Sequence, residues 1–123
     1  MCIRDSMNIR LEAARALVYK AARSGDGGFP DIDDAARAKI LASESAIRVT
    51  NDALQVFGAA GYSRNLPLER MARDARMFTI GGGTAQILRT VVASRILERK
   101  LPQTRDGYLA ADMRETERLA ARG

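Results

Sequence analysis

Gly81, Gly82 and Gly83 run directly into Thr84 and then into an apolar-periodic stretch. Glycines allow a ligand to approach the backbone closely, and the N–H groups at a helix start attract phosphate. A threonine there adds a hydroxyl as cap. No Gly-Lys-Ser/Thr follows and no strand pattern precedes, so this is neither a nucleoside-triphosphate loop nor a dinucleotide fingerprint. By pattern alone, a chain break with an ordinary threonine cap is the commoner meaning. A second group is Gln55, Val56, Phe57, Gly58, Ala59, Ala60 and Gly61. Its glutamine can reach a ligand's polar edge, and its small residues permit close backbone approach, although a solvated helix end accounts for the same pattern. Arg70, Arg73, Asp74 and Arg76 form a third group. Their spacings of three and four allow an Arg70–Asp74 ion pair on a helix, and a structural ion-pair network rather than a catalytic arrangement is expected. Glu44 and Glu69 are lone acids with no second catalytic group in the pattern. The chain has no histidine, which excludes a histidine base, a histidine triad and a histidine metal site. Cys2 is the only cysteine, so no internal disulfide forms, and no metal site is expected.

These groups need helices to position them. Leu11, Ala14, Val18 and Ala21 share one face of a helix over about Met7 to Ser24, stopped by Gly25, Gly27 and Gly28. Asp31, Asp33 and Asp34 cap a second helix and suit its dipole. That helix runs to about Phe57 with two apolar stripes. One is Ala36, Ile40, Ile47, Leu54 and Phe57; the other is Ala35, Ala38, Ala42, Ala46, Val49, Ala53 and Val56. Two stripes place it inside a bundle, flanked on both sides. Pro67 opens a third helix at its first position, with Leu68, Met71, Ala72 and Ala75 as the apolar face. Thr84 caps a fourth, whose Ile87, Leu88, Val91, Val92 and Ile96 face inward and whose Arg95, Arg99 and Lys100 suit its C-terminal end. After Pro102 and Gly107, Tyr108 to Ala121 is weakly amphipathic through Leu109, Met113 and Leu119. The methionines read as core filling. The expectation is an all-α, antiparallel four-helix bundle over residues 7–100 with a C-terminal helical extension over 101–123. Residues 1–6 fit no helical pattern and resemble a translated sequencing-adapter scar, so native sequence is expected to begin near Met7 and to continue upstream.

A chain of 123 residues makes one modest domain. Its net charge of +5 permits a polyanion partner, but the arginines and lysines are spread along the chain among acids. With no aromatic platform interleaved, no nucleic-acid partner is expected. No apolar run approaches a membrane span and the start does not read as a secretory signal, so no membrane association and a cytoplasmic location are expected.

Taken in order, Gln55-Val56-Phe57-Gly58, Gly61-Tyr62-Ser63-Arg64, Leu66-Pro67-Leu68-Glu69-Arg70-Met71, Arg73-Asp74-Ala75-Arg76 and Gly83-Thr84-Ala85-Gln86-Ile87 form a linked series. The series resembles the C-terminal half of the acyl-CoA dehydrogenase family, and Glu12-Ala13-Ala14-Arg15 is similar too. The resemblance covers about Met7 to Leu97. It implies the helical third domain of a larger FAD-dependent oxidoreductase that converts an acyl-CoA thioester to the 2,3-enoyl-CoA. A carboxylate takes the α-proton while the β-hydride passes to flavin. It further implies a homodimer or homotetramer, fatty acid metabolism, and an electron-transfer flavoprotein or similar acceptor.

By the same resemblance, Gln55, Val56, Phe57, Gly58 and Ala59 contact FAD, largely across a subunit interface, with Ala59 standing where many members have glycine. Thr84, Ala85 and Gln86 contact the cofactor's phosphate and adenosine part, and Gly81 and Gly82 border the substrate. Many straight-chain members carry glutamate immediately before the Gly-Thr pair; here that position is Gly82, which cannot accept a proton, and the amide of Gln86 cannot replace it. The pattern resembles isovaleryl- and long-chain-type members, whose base lies on an earlier helix, upstream of Met7. The fragment by itself is therefore expected to be inactive. Loss of dehydrogenation, or another reaction of the same superfamily such as oxidation of a nitroalkane, is an alternative. A stand-alone, non-catalytic helical oligomerisation module is the rival from a different class.

Overall fold

The computed structural model describes residues 2–103 and 105–121. It is helical, with α1 over Cys2–Arg23, α2 over Ile32–Tyr62, α3 over Leu68–Met77, α4 over Ala85–Ile96 and α5 over Arg105–Ala120. The longest helix, α2, is the hub. Among the described residues α1, α3 and α4 each pack on α2 and on no other helix, while α5 packs on none. The central position expected of the doubly striped helix is thus the one it occupies.

Asp31 starts α2. Its Oδ1 accepts from the N–H groups of Asp33 at 2.9 Å and Asp34 at 3.2 Å, satisfying two donors that the helix cannot. Its Oδ2 accepts from Arg95 at 3.2 Å, which ties the start of α2 to the end of α4. Glu44 pairs with Arg89 one level further along. Rising numbers on α2 meet falling numbers on α4, so the two helices are antiparallel. Lys20 bonds Asp34 at 2.6 Å and joins the end of α1 to the same end of α2.

The buried residues are small: Ala14, Ala21, Ala36, Ala38, Ala75 and Ala85, with Ser43, Ser45 and Thr79. Small side chains let helix backbones approach closely, but they bury little apolar area each. No large side chain is fully buried among the described residues, and several sequence expectations fail for that reason. On α1 the inward line is Ala14, Leu17 and Ala21, so Leu11 and Val18 are exposed at 51% and 48%. Met71 on α3, Ile96 on α4, and Val56 and Phe57 at the end of α2 are exposed as well. Met77 and Met113 are also exposed rather than core filling.

Boundaries differ too. The first helix begins at Cys2, not Met7, since nothing in Cys2 to Ser6 breaks a helix and Asp5 suits its first turn. The second continues beyond Phe57 to Tyr62 across a kink at Gly58. Pro67 sits at the cap position just before α3 rather than inside it. The last helix begins at Arg105 rather than Tyr108; Leu109 and Met113 are exposed on it, and the side chain of Leu119 lies outside the described residues. No helix among the described residues is long and apolar enough to cross a membrane.

Candidate functional site

The loop from α3 to α4 is fixed from several directions. Thr79 is buried; its hydroxyl donates to the Arg76 carbonyl at 3.0 Å and its own carbonyl accepts from Ala85 N–H at 3.0 Å. Gly81 N–H donates to the Met77 carbonyl at 2.8 Å. Thr84 caps α4 as its sequence position suggests, its hydroxyl accepting from Ile87 N–H at 3.2 Å. Lys39 adds a tie from α2: its ammonium donates to the carbonyls of Gly81 at 2.8 Å and Gly83 at 2.6 Å. Between those carbonyls stands Gly82, with φ 66°, followed by Gly83 at φ 90°. That backbone region disfavours any side chain. A Cβ at Gly82 would meet nothing within 4 Å, so the crest faces open space.

The start of α4 is therefore only in part the anion site that its glycines suggest. The N–H groups of Ala85 and Ile87 are engaged within the chain, by Thr79 and Thr84. Left for a ligand are the N–H groups of Gly82, Gly83, Thr84 and Gln86, the positive end of the helix dipole and the exposed side chain of Gln86. Gln86 and Thr84 border a cleft of about 190 Å³ shared with Glu44, Ile47, Arg76 and Thr79. Ala85 contributes backbone only, its methyl being buried.

The second group lies elsewhere. Gln55, Val56, Phe57, Gly58 and Ala59 are all exposed on the last turns of α2. Gly58 has φ 55° and ψ −137°, non-helical values that break the regular ladder, and a Cβ there would again meet nothing within 4 Å. Gln55 and Gly58 border a shallow recess with Asn51, Leu54 and Tyr62 that includes none of Gly81 to Gln86. Ile47 borders the cleft at Thr84, and eight residues of helix put Gln55 roughly 12 Å further along the axis. The two groups form two surfaces of one chain, not one pocket.

The charged residues resolve differently from their spacing. Arg73 pairs with Glu69 through two bonds of 2.8 and 3.2 Å, rather than Arg70 with Asp74. That guanidinium pulls the Glu69 carboxyl below its ordinary value, with neighbouring Arg64 and Arg70 adding to the effect. A carboxylate so held is a poorer proton acceptor than a free one. Glu44, isolated in sequence, is matched by Arg89 across 45 residues.

Sequence reasoning missed Lys39 and Thr79. Lys39 carried one local signal, being the only cation between Ala38 and Ala46 on the apolar middle of α2. Its partners are 42 and 44 residues away.

Residues 5–97 match the family model described as acyl-CoA dehydrogenase, C-terminal domain. A 3-sulfinopropanoyl-CoA desulfinase of Advenella mimigardefordensis is 67% identical over 105 residues, which are 85% of this chain and 26% of the relative. A short-chain specific acyl-CoA dehydrogenase of Clostridium acetobutylicum is 44% identical over 73% of this chain and 24% of its own. The solved butyryl-CoA dehydrogenase of Megasphaera elsdenii superposes with a TM-score of 0.72 at 44% identity, covering 76% of this chain and 24% of that one. The chain thus spans about a quarter of the length of the curated relatives it matches.

Proposed function

The chain belongs to the acyl-CoA dehydrogenase family, as its C-terminal helical domain, and from that premise we propose that it serves a longer enzyme acting on 3-sulfinopropanoyl-CoA. The observation that carries this reading is the similarity to a desulfinase, and Gly82, a residue with no proton acceptor at the position where many dehydrogenases of the family place their glutamate, is compatible with it. Gly82 stands in left-handed backbone that a glutamate would adopt only under strain. The identity to the desulfinase, 67%, exceeds the 44% to the short-chain dehydrogenase.

Removing the sulfinate group needs no base for an α-proton and no electron acceptor. The carbon–sulfur bond breaks, a hydrogen from water takes sulfur's place on carbon, and the sulfur leaves with the water's oxygen as hydrogensulfite. Propanoyl-CoA is the other product, and no electrons are left over. The chain's own contribution is to hold and shape. The open crest at Gly81 and Gly82 would border the acyl group. The positive start of α4 and the Lys39 ammonium below the crest would favour an anionic substituent there.

The cofactor expected of the family is FAD, which supplies the redox and electrostatic chemistry of a flavin ring when bound. The residues present suit it. Val56 and Phe57 offer exposed apolar area and Gln55 a polar side chain beside it, at a kink whose Gly58 leaves space for close approach. Thr84, Ala85 and Gln86 would lie against its phosphate and adenosine part at the start of α4. The two groups are about 12 Å apart along the bundle. Following the family resemblance, we assign Gln55 to Ala59 to a cofactor held by a second copy, and the exposed apolar residues support a homo-oligomer.

A dehydrogenase with its carboxylate on an earlier helix is the second reading. It is favoured by the likeness to butyryl-CoA dehydrogenase, and it brings with it an electron-transfer flavoprotein as acceptor. The longer protein decides between the two in parallel assays. The first reading predicts sulfite release from 3-sulfinopropanoyl-CoA and no dye reduction with saturated straight-chain acyl-CoA thioesters. Dye reduction without sulfite release would establish the second and remove the first.

A further inference from the structure

The Gly81–Gly83 crest is the least restrained backbone in the candidate site by composition, yet one side chain spans it. Gly82 and Gly83 both take positive φ, and glycine loses more conformational freedom on ordering than any other residue. Something must offset that loss if the crest is to hold one shape. The carbonyls on either side of Gly82 converge on a single donor, the Lys39 ammonium, at 2.8 and 2.6 Å. Hydrogen bonds from a charged donor are stronger than neutral ones. Two of them to alternate carbonyls fix the orientation of the Gly81–Gly82 and Gly83–Thr84 peptide planes and so bracket Gly82. Lys39 itself is half-buried on the middle of α2, one residue after buried Ala38, so its stem starts from the best-packed helix of the molecule. The remaining bonds of the loop, to Met77, Thr79 and Thr84, hold its two ends and leave the crest between them to Lys39.

We propose that Lys39 is a positioning residue of the acyl site: it sets the direction in which the Gly81–Gly83 crest faces the bound acyl group, without touching the reacting atoms. The consequence for binding rests on the acyl-CoA reading above; the clamp does not. Two variants separate the parts. Lys39→Met keeps the length and apolar stem and removes all donors. Lys39→Arg keeps a cation with donors.

The first measurement is amide hydrogen exchange along the protein, with no substrate or cofactor added. Lys39→Met is expected to speed exchange at Gly81 and Ala85, the bonded N–H groups on either side of the crest, about tenfold while α1 and the rest of α2 stay at the unmodified rate. Lys39→Arg should restore part of the protection. The second is steady-state kinetics of the longer protein with 3-sulfinopropanoyl-CoA. KM is expected to rise about tenfold in Lys39→Met with kcat changed less, flavin content per chain held, and partial recovery in Lys39→Arg. Unchanged exchange at the crest in Lys39→Met overturns the proposal. So does exchange that rises equally throughout α2, which would make Lys39 a general stabiliser of the bundle. Unchanged KM beside a loosened crest overturns the positioning role. A loosened crest in a protein that turns over no acyl-CoA would instead refute the acyl-CoA reading and leave the clamp standing.

Discussion

The two ends of the candidate site are built in opposite ways. At the start of α4, Lys39, Thr79 and Thr84 hold the glycine crest by bonds within the chain. At the end of α2, Gln55 to Ala59 lie exposed around a break at Gly58, with Phe57 54% exposed. The first surface carries its own support. The second is shaped by backbone alone and offers apolar area that nothing among the described residues covers. A glycine can thus serve a ligand in two ways: as a crest fixed by a distant side chain, or as a kink that opens a helix end for a neighbour to use.

Forcing a side chain onto the kink should break the contrast most severely. Gly58→Ala demands φ 55°, ψ −137° of an L-residue, or straightens the helix and moves Phe57 to Tyr62. We expect a stability loss of about 1–3 kcal/mol by urea unfolding, the cost of such a backbone state. A wild-type midpoint would mean that the kink is not required.

The held end should respond less to its own cap. Thr84→Ala removes the acceptor for Ile87 N–H and is expected to cost about 1 kcal/mol, with Thr84→Ser nearly neutral. Equal losses in both variants would show that the methyl, not the hydroxyl, matters there.

The smallest effect, and the one most confined in pH, belongs to the far end of α2. Asp31 is lowered from its ordinary value of 3.8, chiefly by the N–H groups of Asp34 and Asp33, with Arg95 contributing. A carboxylate lowered on folding contributes stability that is fully present above its unfolded pKa and is lost as pH falls through the folded one. Asp31→Asn should therefore flatten the acid limb of the stability profile below about pH 4 and leave its shape near neutrality unchanged. An unaltered acid limb would contradict the cap's ionic character.

Much of this was legible from residue types. The helix stops, the Asp31 and Thr84 caps and the double stripe of α2 are local signals, and each lies within a turn or two of its cause. The fold followed from them. The outward faces did not. Leu11 and Val18 share a helical face with Ala14 and Ala21 by spacing, but α2 approaches so closely on the alanines that the larger residues are displaced to the flank. The pairing of Glu69 with Arg73 rather than Arg70 with Asp74 was a choice between equivalent spacings, settled only by side-chain direction. The Lys39 clamp and the Glu44–Arg89 pair join residues more than forty positions apart, and no local pattern carries such contacts.

The central claim is that the glycine crest serves a reaction requiring no proton acceptor at Gly82 and no electron acceptor in solution. Its most direct test is to supply the longer protein with 3-sulfinopropanoyl-CoA anaerobically, with every electron acceptor omitted, and to quantify products. The account predicts propanoyl-CoA and hydrogensulfite in equal amounts through many turnovers. Turnover that appears only when an acceptor is added, with an enoyl-CoA as product, would contradict it.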